Sequence, residues 1–335
     1  MTPVNIQCRL AARPAGMPNA ADWAIVEEPK PVAAEGEFVV QLDYLSIDPA
    51  MRTWMNAGRS YVPAVEIGEV MRAFGIGHVV ESRRDGFVAG DQVSGLFGVQ
   101  RYALSNGAGV NKVDTGVAPA TVHLGTVGIS GLTAYFGLLD VGRPEPGQTV
   151  LVSGAAGSVG SIVGQIAKIK GCRAIGIAGG DQKCRWLVEE VGFDAAIDYK
   201  TADLRAELKT HAPEGVDVFF DNVGGTTLEA ALNRLARGAR VVLCGAVSQY
   251  NDTPRGPANY MQLLVARASM TGFVIFDYLD RYPEGIAQLA KWLSAGQLRS
   301  HEHIEQGDIA DFPETLLKLF EGENTGKLIL ALNSP

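Results

Sequence analysis

Residues 149–160 read Thr149-Val150-Leu151-Val152-Ser153-Gly154-Ala155-Ala156-Gly157-Ser158-Val159-Gly160, and their order decides the fold. Thr149 to Val152 is a β-rich run. After the glycines, Val159, Ile162, Val163, Ile166, Ala167 and Ile169 recur at helical spacing. Arg173 to Ala178 predicts a second strand, so a strand–loop–helix–strand unit fits within about thirty residues. Glycines at 154, 157 and 160 let the chain turn sharply, bring backbone close to a bound group and pack the helix on the sheet. The helix start adds unpaired N–H groups and a positive dipole end. Together these features predict a dinucleotide site. A glycine triplet alone could be a plain structural turn, and it is the flanking strand and helix that weigh against that reading.

Outward from this unit, Asp181 to Val191 predicts a second helix. Ala195–Ile197, Val216–Phe220, Ala239–Leu243 and Thr271–Ile275 predict further strands, with helical segments between them. Apolar strands alternating with amphipathic helices predict an α/β domain over 125–299, whose six parallel strands follow the right-handed doubly wound order. Residues 1–124 have another texture. Short apolar runs (Phe38–Ser46, Gly77–Glu81, Gly90–Val93) alternate with turn residues, and Pro14, Pro18, Pro29, Pro31, Pro49 and Pro63 break any long helix. An irregular β-barrel or sandwich fits that pattern. Gly326 to Leu332 predicts one more strand, which either extends the parallel sheet or returns to the first domain.

The 335 residues suffice for two domains. A formal net charge of −8 repels a phosphate backbone and argues against a nucleic-acid partner. No run approaches a membrane span, and the N-terminus lacks the blocks of a signal peptide, so the chain is expected to be cytoplasmic. Cys8, Cys172, Cys184 and Cys244 lack the short spacings of a disulfide framework or a thiolate zinc cluster and read as single thiols.

The tip of the second strand bears on which dinucleotide binds. An NAD site usually presents an acidic residue there, for the ribose hydroxyls. Here Ala178-Gly179-Gly180 precedes Asp181 and Lys183. Small residues leave room for a phosphate that Lys183 can neutralise, whereas Asp181 opposes one unless it caps the helix it opens. These residues favour NADP and leave NAD open.

The whole motif series resembles the medium-chain dehydrogenase/reductase superfamily, and within it the zinc-free branch of prostaglandin reductases, plant alkenal double-bond reductases and bacterial curcumin reductases. The resemblance rests on Leu45-Ser46-Ile47-Asp48-Pro49-Ala50-Met51-Arg52, on Gly125 to Leu138, on the glycine loop and on Asp221-Asn222-Val223-Gly224-Gly225. Cys244 to Asn251, Gly272-Phe273-Val274 and Asn324-Thr325-Gly326-Lys327 complete it. It implies a GroES-like β-barrel domain (1–124, with the 300–335 tail returning to it) and a Rossmann domain, with NADP(H) as cofactor between them. It further implies that Ala156, Gly157, Ser158 and Val159 hold the pyrophosphate and Lys183 the 2′-phosphate. Tyr199, Asn222, Cys244, Gly245, Ala246 and Tyr250 would make further cofactor contacts, joined by Met51, Thr133, Phe273, Val274, Ile275 and Asn324. Members of this family are often homodimers through their Rossmann domains.

Zinc-dependent relatives reduce carbonyls with a metal Lewis acid. This chain lacks their Gly-His-Glu ligand motif and their closely spaced cysteines. His301 and His303, two apart on one face of a strand, have no third ligand nearby, so no metal is expected. Without a metal, a conjugated carbonyl is the easier substrate, because hydride added at the β-carbon leaves an enolate that needs only hydrogen-bond donors. The resemblance points to Tyr250 as that donor, the α-carbon proton coming from solvent or a relay. Tyr250 could instead only pack against the cofactor. Trp54, Tyr61, Tyr260, Phe276 and Tyr278 suit an apolar pocket for a small lipophilic enal or enone. Ala50 and Phe74 depart from the plant pattern, where tyrosines occur, which implies a roomier and less polar pocket. A quinone reductase and a non-catalytic NADPH-binding protein are the alternatives.

Overall fold

A computed structural model of the chain describes residues 4–333. As far as Leu124 the elements are β1 (Val4–Leu10), β2 (Trp23–Pro29), β3 (Phe38–Ser46), α1 (Ala50–Trp54), β4 (Gly75–Ser82), β5 (Gln92–Gly95), β6 (Tyr102–Ser105) and β7 (Asn111–Lys112). β1 and β2 form an antiparallel ribbon. β3 is flanked by β4 and β6, with β5 and β7 beyond β4, all antiparallel. The apolar residues of these strands close one core, in which Phe38, Val40, Leu42 and Leu45 are almost fully buried.

From Gly125 to His301 the chain forms a second unit. Its elements are α2 (Ile129–Phe136), β8 (Thr149–Ser153), α3 (Ser158–Ile169), β9 (Arg173–Ala178), α4 (Asp181–Trp186), β10 (Ala195–Asp198), α5 (Leu204–His211), β11 (Val216–Asp221), α6 (Gly225–Leu232), β12 (Leu235–Leu243), α7 (Gln262–Ala266), β13 (Ser269–Gly272) and α8 (Tyr282–Ser294). The strands are parallel in the order β10-β9-β8-β11-β12-β13, the doubly wound order expected from the sequence. Covered on both faces, the middle strands carry buried runs: Val150, Leu151 and Val152 on β8, and Val218, Phe219 and Phe220 on β11. The last strand is shorter than its apolar run. Thr271–Ile275 reads as strand in the sequence, but pairing stops at Gly272 and a 3-10 turn starts at Ile275. Phe273 leaves the sheet to lie against the ring of Phe220, 6.3 Å between centroids, and Ile275 O accepts the Tyr282 hydroxyl.

The remaining elements, β14 (Glu302–Gly307), α9 (Phe312–Glu321) and β15 (Lys327–Leu332), belong to the first unit. β15 pairs antiparallel with β3 and parallel with β14, so the final strand extends the first sheet and not the parallel one. Phe312, Leu316, Leu328 and Leu330 join the core of Phe38 and Leu45. One ionic group goes down with them. The ammonium of Lys327, whose side chain is 3% exposed, donates to Asp48 Oδ1 (2.7 Å) and Ile47 O (3.0 Å), and the Ser46 hydroxyl donates to Asp48 Oδ2. A strand at one end of the chain thus fixes the turn that opens α1.

Candidate functional site

In the second unit the named residues gather at the C-terminal edge of the parallel sheet, where strands meet helix starts. Gly154 takes a left-handed φ of +57° as β8 ends. A Cβ on Gly160 would stand 2.3 Å from Gly154 O, so only glycine lets α3 pack this close to the loop. Gly157, with extended backbone, precedes α3, and no side chain caps its first amides. The N–H groups at Ser158, Val159 and Gly160 therefore form a donor cluster with a dipole behind it, suited to a phosphate. Ala156 is buried, while Gly157, Ser158 and Val159 are half-buried.

The tips of β9 and β10 make a cationic corner. Asp198 Oδ1 accepts the amides of Gly180 (2.8 Å) and Lys200 (3.0 Å), and Oδ2 accepts the Thr201 hydroxyl, so one carboxylate pins the two tips together. The space a Gly179 Cβ would take lies 2.9 Å from Lys200 Cε and 3.0 Å from the Tyr199 ring and hydroxyl. Lys183 sits on α4 above this corner. Burial and then the charge of Lys200 push its pKa down. Asp181 does not cap α4. Gly180 holds the cap position, and Asp181, as the first helical residue, pairs with Arg185 one turn on (3.0 Å). Lys200 escapes sequence reading because its neighbours come from another strand. Its position two residues after the Asp198 that ties the tips is the only local signal.

The third group is laced around Asp221. The Ser153 hydroxyl donates to Asp221 Oδ1 (2.7 Å), as do the amides of Val223 and Gly224 (3.0 Å each). Ser153 Oγ accepts Asn222 N (2.8 Å), and Asn222 Nδ2 donates to Ser153 O (2.7 Å). The amides of Cys244 and Gly245 donate to Asp221 O, that of Val247 to Asn222 O, and the Ser248 hydroxyl to Val223 O. Tyr250 folds back over this strip, its hydroxyl oxygen accepting Ala246 N (3.2 Å) and lying 2.9 Å from where a Gly245 Cβ would be. Burial and then Asp221 push the Cys244 thiol up to about 12.

Other sequence candidates have prior structural duties. The Thr133 hydroxyl bonds back to Ile129 O within α2. Phe273 fills the space beside Gly137, whose Cβ would stand 2.4 Å from its ring, while Val274 and Ile275 are half-buried. Tyr278 stacks on Phe136 at 4.7 Å, Phe276 is half-buried, and Tyr260 is 58% exposed. In the first unit Met51 is fully buried in the core, so its side chain is packing and only its backbone can offer contacts. Trp54 is almost as deep, donating Nε1 to the half-exposed Tyr61 hydroxyl (3.3 Å) and lying under the Arg72 guanidinium. Ala50 is half-buried beside that core, and Phe74 packs against Ile76, Leu124 and Ile329. Asn324 is buried, with Nδ2 turned to Gly326 O (2.9 Å).

The histidine pair is not a matched pair. His301 precedes β14 and packs on Trp186 (4.9 Å between rings), while His303, within the strand, meets Glu305 at 3.0 Å. No group of three His, Cys, Asp or Glu side chains placed to hold a metal occurs among the described residues. No helix is long and apolar enough to cross a membrane, again among the described residues.

Known proteins share this arrangement. The family described as "N-terminal domain of oxidoreductase" matches residues 7–113, and the one described as "Zinc-binding dehydrogenase" matches residues 158–293. The chain is 44% identical, over 100% of both chains, to the Bacillus subtilis protein named "Putative NADP-dependent oxidoreductase YfmJ". It is 38% identical to the NADPH-dependent curcumin reductase of Escherichia coli, over 96% of this chain and 95% of that one. The crystal structure of CurA from Vibrio vulnificus in complex with NADPH superposes with a TM-score of 0.93 at 41% identity, covering 98% of this chain and 100% of that one.

Proposed function

Because the chain belongs to the medium-chain dehydrogenase/reductase superfamily, in the branch of the prostaglandin, 2-alkenal and curcumin reductases, we propose that it reduces the carbon–carbon double bond of α,β-unsaturated aldehydes and ketones with NADPH. It is an NADP-dependent oxidoreductase. One observation carries the finer reading: a single edge of the parallel sheet gathers an uncapped helix start at Ser158, a lysine pair at Lys183 and Lys200, and the Tyr250 hydroxyl tethered at Ala246.

The residues fit the cofactor on their own chemistry. Like charges held close destabilise one another unless an anion lies between them, and a 2′-phosphate against Lys183, Lys200 and Tyr199 is such an anion. The amides from Ala156 to Val159 take the pyrophosphate. Asn222, the Cys244–Ala246 strip and Tyr250 line the nicotinamide half, with Thr133 and Phe273–Val274–Ile275 from the same unit. When bound, the dihydronicotinamide supplies a hydride equivalent. What the chain adds is a donor for the charge that then builds on the substrate oxygen. A phenol both donates and accepts, and with the Ala246 amide on an oxygen lone pair, the Tyr250 O–H is polarised toward donation to an enolate oxygen. From this unit Tyr260 and Tyr278 offer apolar surface for a small lipophilic enal or enone.

Enzyme mixed with NADPH and a 3-alken-2-one should yield the saturated ketone. An allylic alcohol as sole product would refute the reading. Tyr250→Phe should lower kcat about 100-fold, the usual loss for one such donor, with little change in NADPH affinity. An unchanged kcat would leave Tyr250 as packing only.

The same reading includes a homodimer. β13 is the outer strand of its sheet, and beside it Leu264 and Val265 on α7 are 68% and 64% exposed, with Tyr260 and Met261 more than half exposed. An unpaired edge flanked by apolar side chains suits pairing with a second copy. Sedimentation should show a dimer that Leu264→Glu with Val265→Glu turns into a monomer. A parent that is monomeric at micromolar concentration would exclude it.

A further inference from the structure

Asp221 is fully buried, and burial pushes its pKa up, yet its partners among the described residues include no cation. A buried carboxylate is costly to keep, so the arrangement of its partners is informative. Every partner is a donor, and they come from separate pieces of chain. Ser153 is the last residue of β8, and its hydroxyl reaches Oδ1 at 2.7 Å. The amides of Val223 and Gly224 lie in the turn after β11, where Gly224 and Gly225 take φ of +71° and +54°. Through its own carbonyl Asp221 also holds the amides of Cys244 and Gly245, at the end of β12. One residue therefore ties the ends of three neighbouring strands.

We propose that Asp221 is a positioning residue. Its carboxylate locks the 222–225 turn onto β8, its carbonyl locks the 244–246 strip, and together they hold the surface that receives the nicotinamide half of the cofactor. The inference rests on the dinucleotide reading above and deepens it. The reach of Asp221 is selective, because the cationic corner at β9 and β10 is pinned separately by Asp198. Loss of Asp221 should loosen the nicotinamide half and leave the adenosine half in place.

The test compares binding of NADPH with binding of adenosine 2′,5′-bisphosphate, which lacks the nicotinamide half, by calorimetry. Asp221→Ala should weaken NADPH about tenfold or more, the loss expected when buried donors lose their acceptor, and leave the bisphosphate unchanged. Asp221→Asn keeps an oxygen for Ser153, Val223 and Gly224 but places an NH2 against the Gly224 amide, so it should fall between. Leu208→Ala, a core cavity on α5 that removes none of these bonds, should lower Tm and change neither affinity. If Asp221→Ala weakens both ligands equally, or NADPH no more than Leu208→Ala does, the proposal is overturned. Should Asp221→Ala not fold, Asp221→Asn and Ser153→Ala decide by the same comparison. A parent that binds neither ligand removes the dinucleotide reading and this one with it, whereas a parent that binds both confines the question to Asp221.

Discussion

A Lys183→Ala, Lys200→Ala double variant is expected to bind NADPH about 100-fold or more weakly than the parent while binding NADH almost as before. A charge-assisted hydrogen bond to phosphate contributes about 1.5–3 kcal/mol, and two such bonds at about 1.4 kcal/mol per factor of ten reach that range. The Lys183 bond should be the stronger, since Lys183 is partly desolvated and Lys200 is exposed. Fluorescence titration with both dinucleotides reads the result. Equal losses for NADPH and NADH would remove the pair from the phosphate site.

The other large effect is on stability. Lys327→Ala should cost the first unit about 3 kcal/mol, the low end for a buried pair because the Asp48 side chain stays 22% exposed, since it strips a buried ammonium from that carboxylate and from Ile47 O. Lys327→Met, which fills the space but also lacks the charge, should be no better unless Asp48 is changed with it. Lys327→Met with Asp48→Leu should recover most of the loss. Urea unfolding followed by tryptophan emission in a background with Trp186→Phe and Trp292→Phe, which leaves only Trp23 and Trp54 of that unit, measures the change separately from the second unit. A loss under about 1 kcal/mol would show the pair to be solvated and dispensable.

What could be read from the chain alone follows from how local each signal is. The strand, glycines and helix of residues 149–169 sit side by side in sequence, so the doubly wound order followed from their pattern and its repeats. The strand at Thr271–Ile275 went wrong at its end because the partner that draws Phe273 off the sheet, Phe220, lies far away in sequence. Met51 carries a motif position and Trp54 reads as a pocket residue, yet their side chains serve the core, a distinction that burial makes and periodicity over a five-residue helix does not. Lys200 and Asp221 were invisible as site residues for a common reason. Their meaning depends on partners from other strands, Gly179 and Ser153, and no spacing rule joins them. His301 and His303 show the converse: regular spacing suggested a pair, while only one of them lies in the strand.

The return of β15 to β3 also orders events in time. The ribosome makes Asp48 long before Lys327, its partner 279 residues downstream. The first unit to be synthesised thus cannot close its sheet until the second, made wholly in between, has emerged and had time to fold. For most multidomain chains folding runs from the N-terminus onward. Here the nascent N-terminal segment waits with the Tyr44–Ser46 end of β3 unpaired beyond β6, and shielding that stretch of strand edge during synthesis is a burden this topology places on the cell.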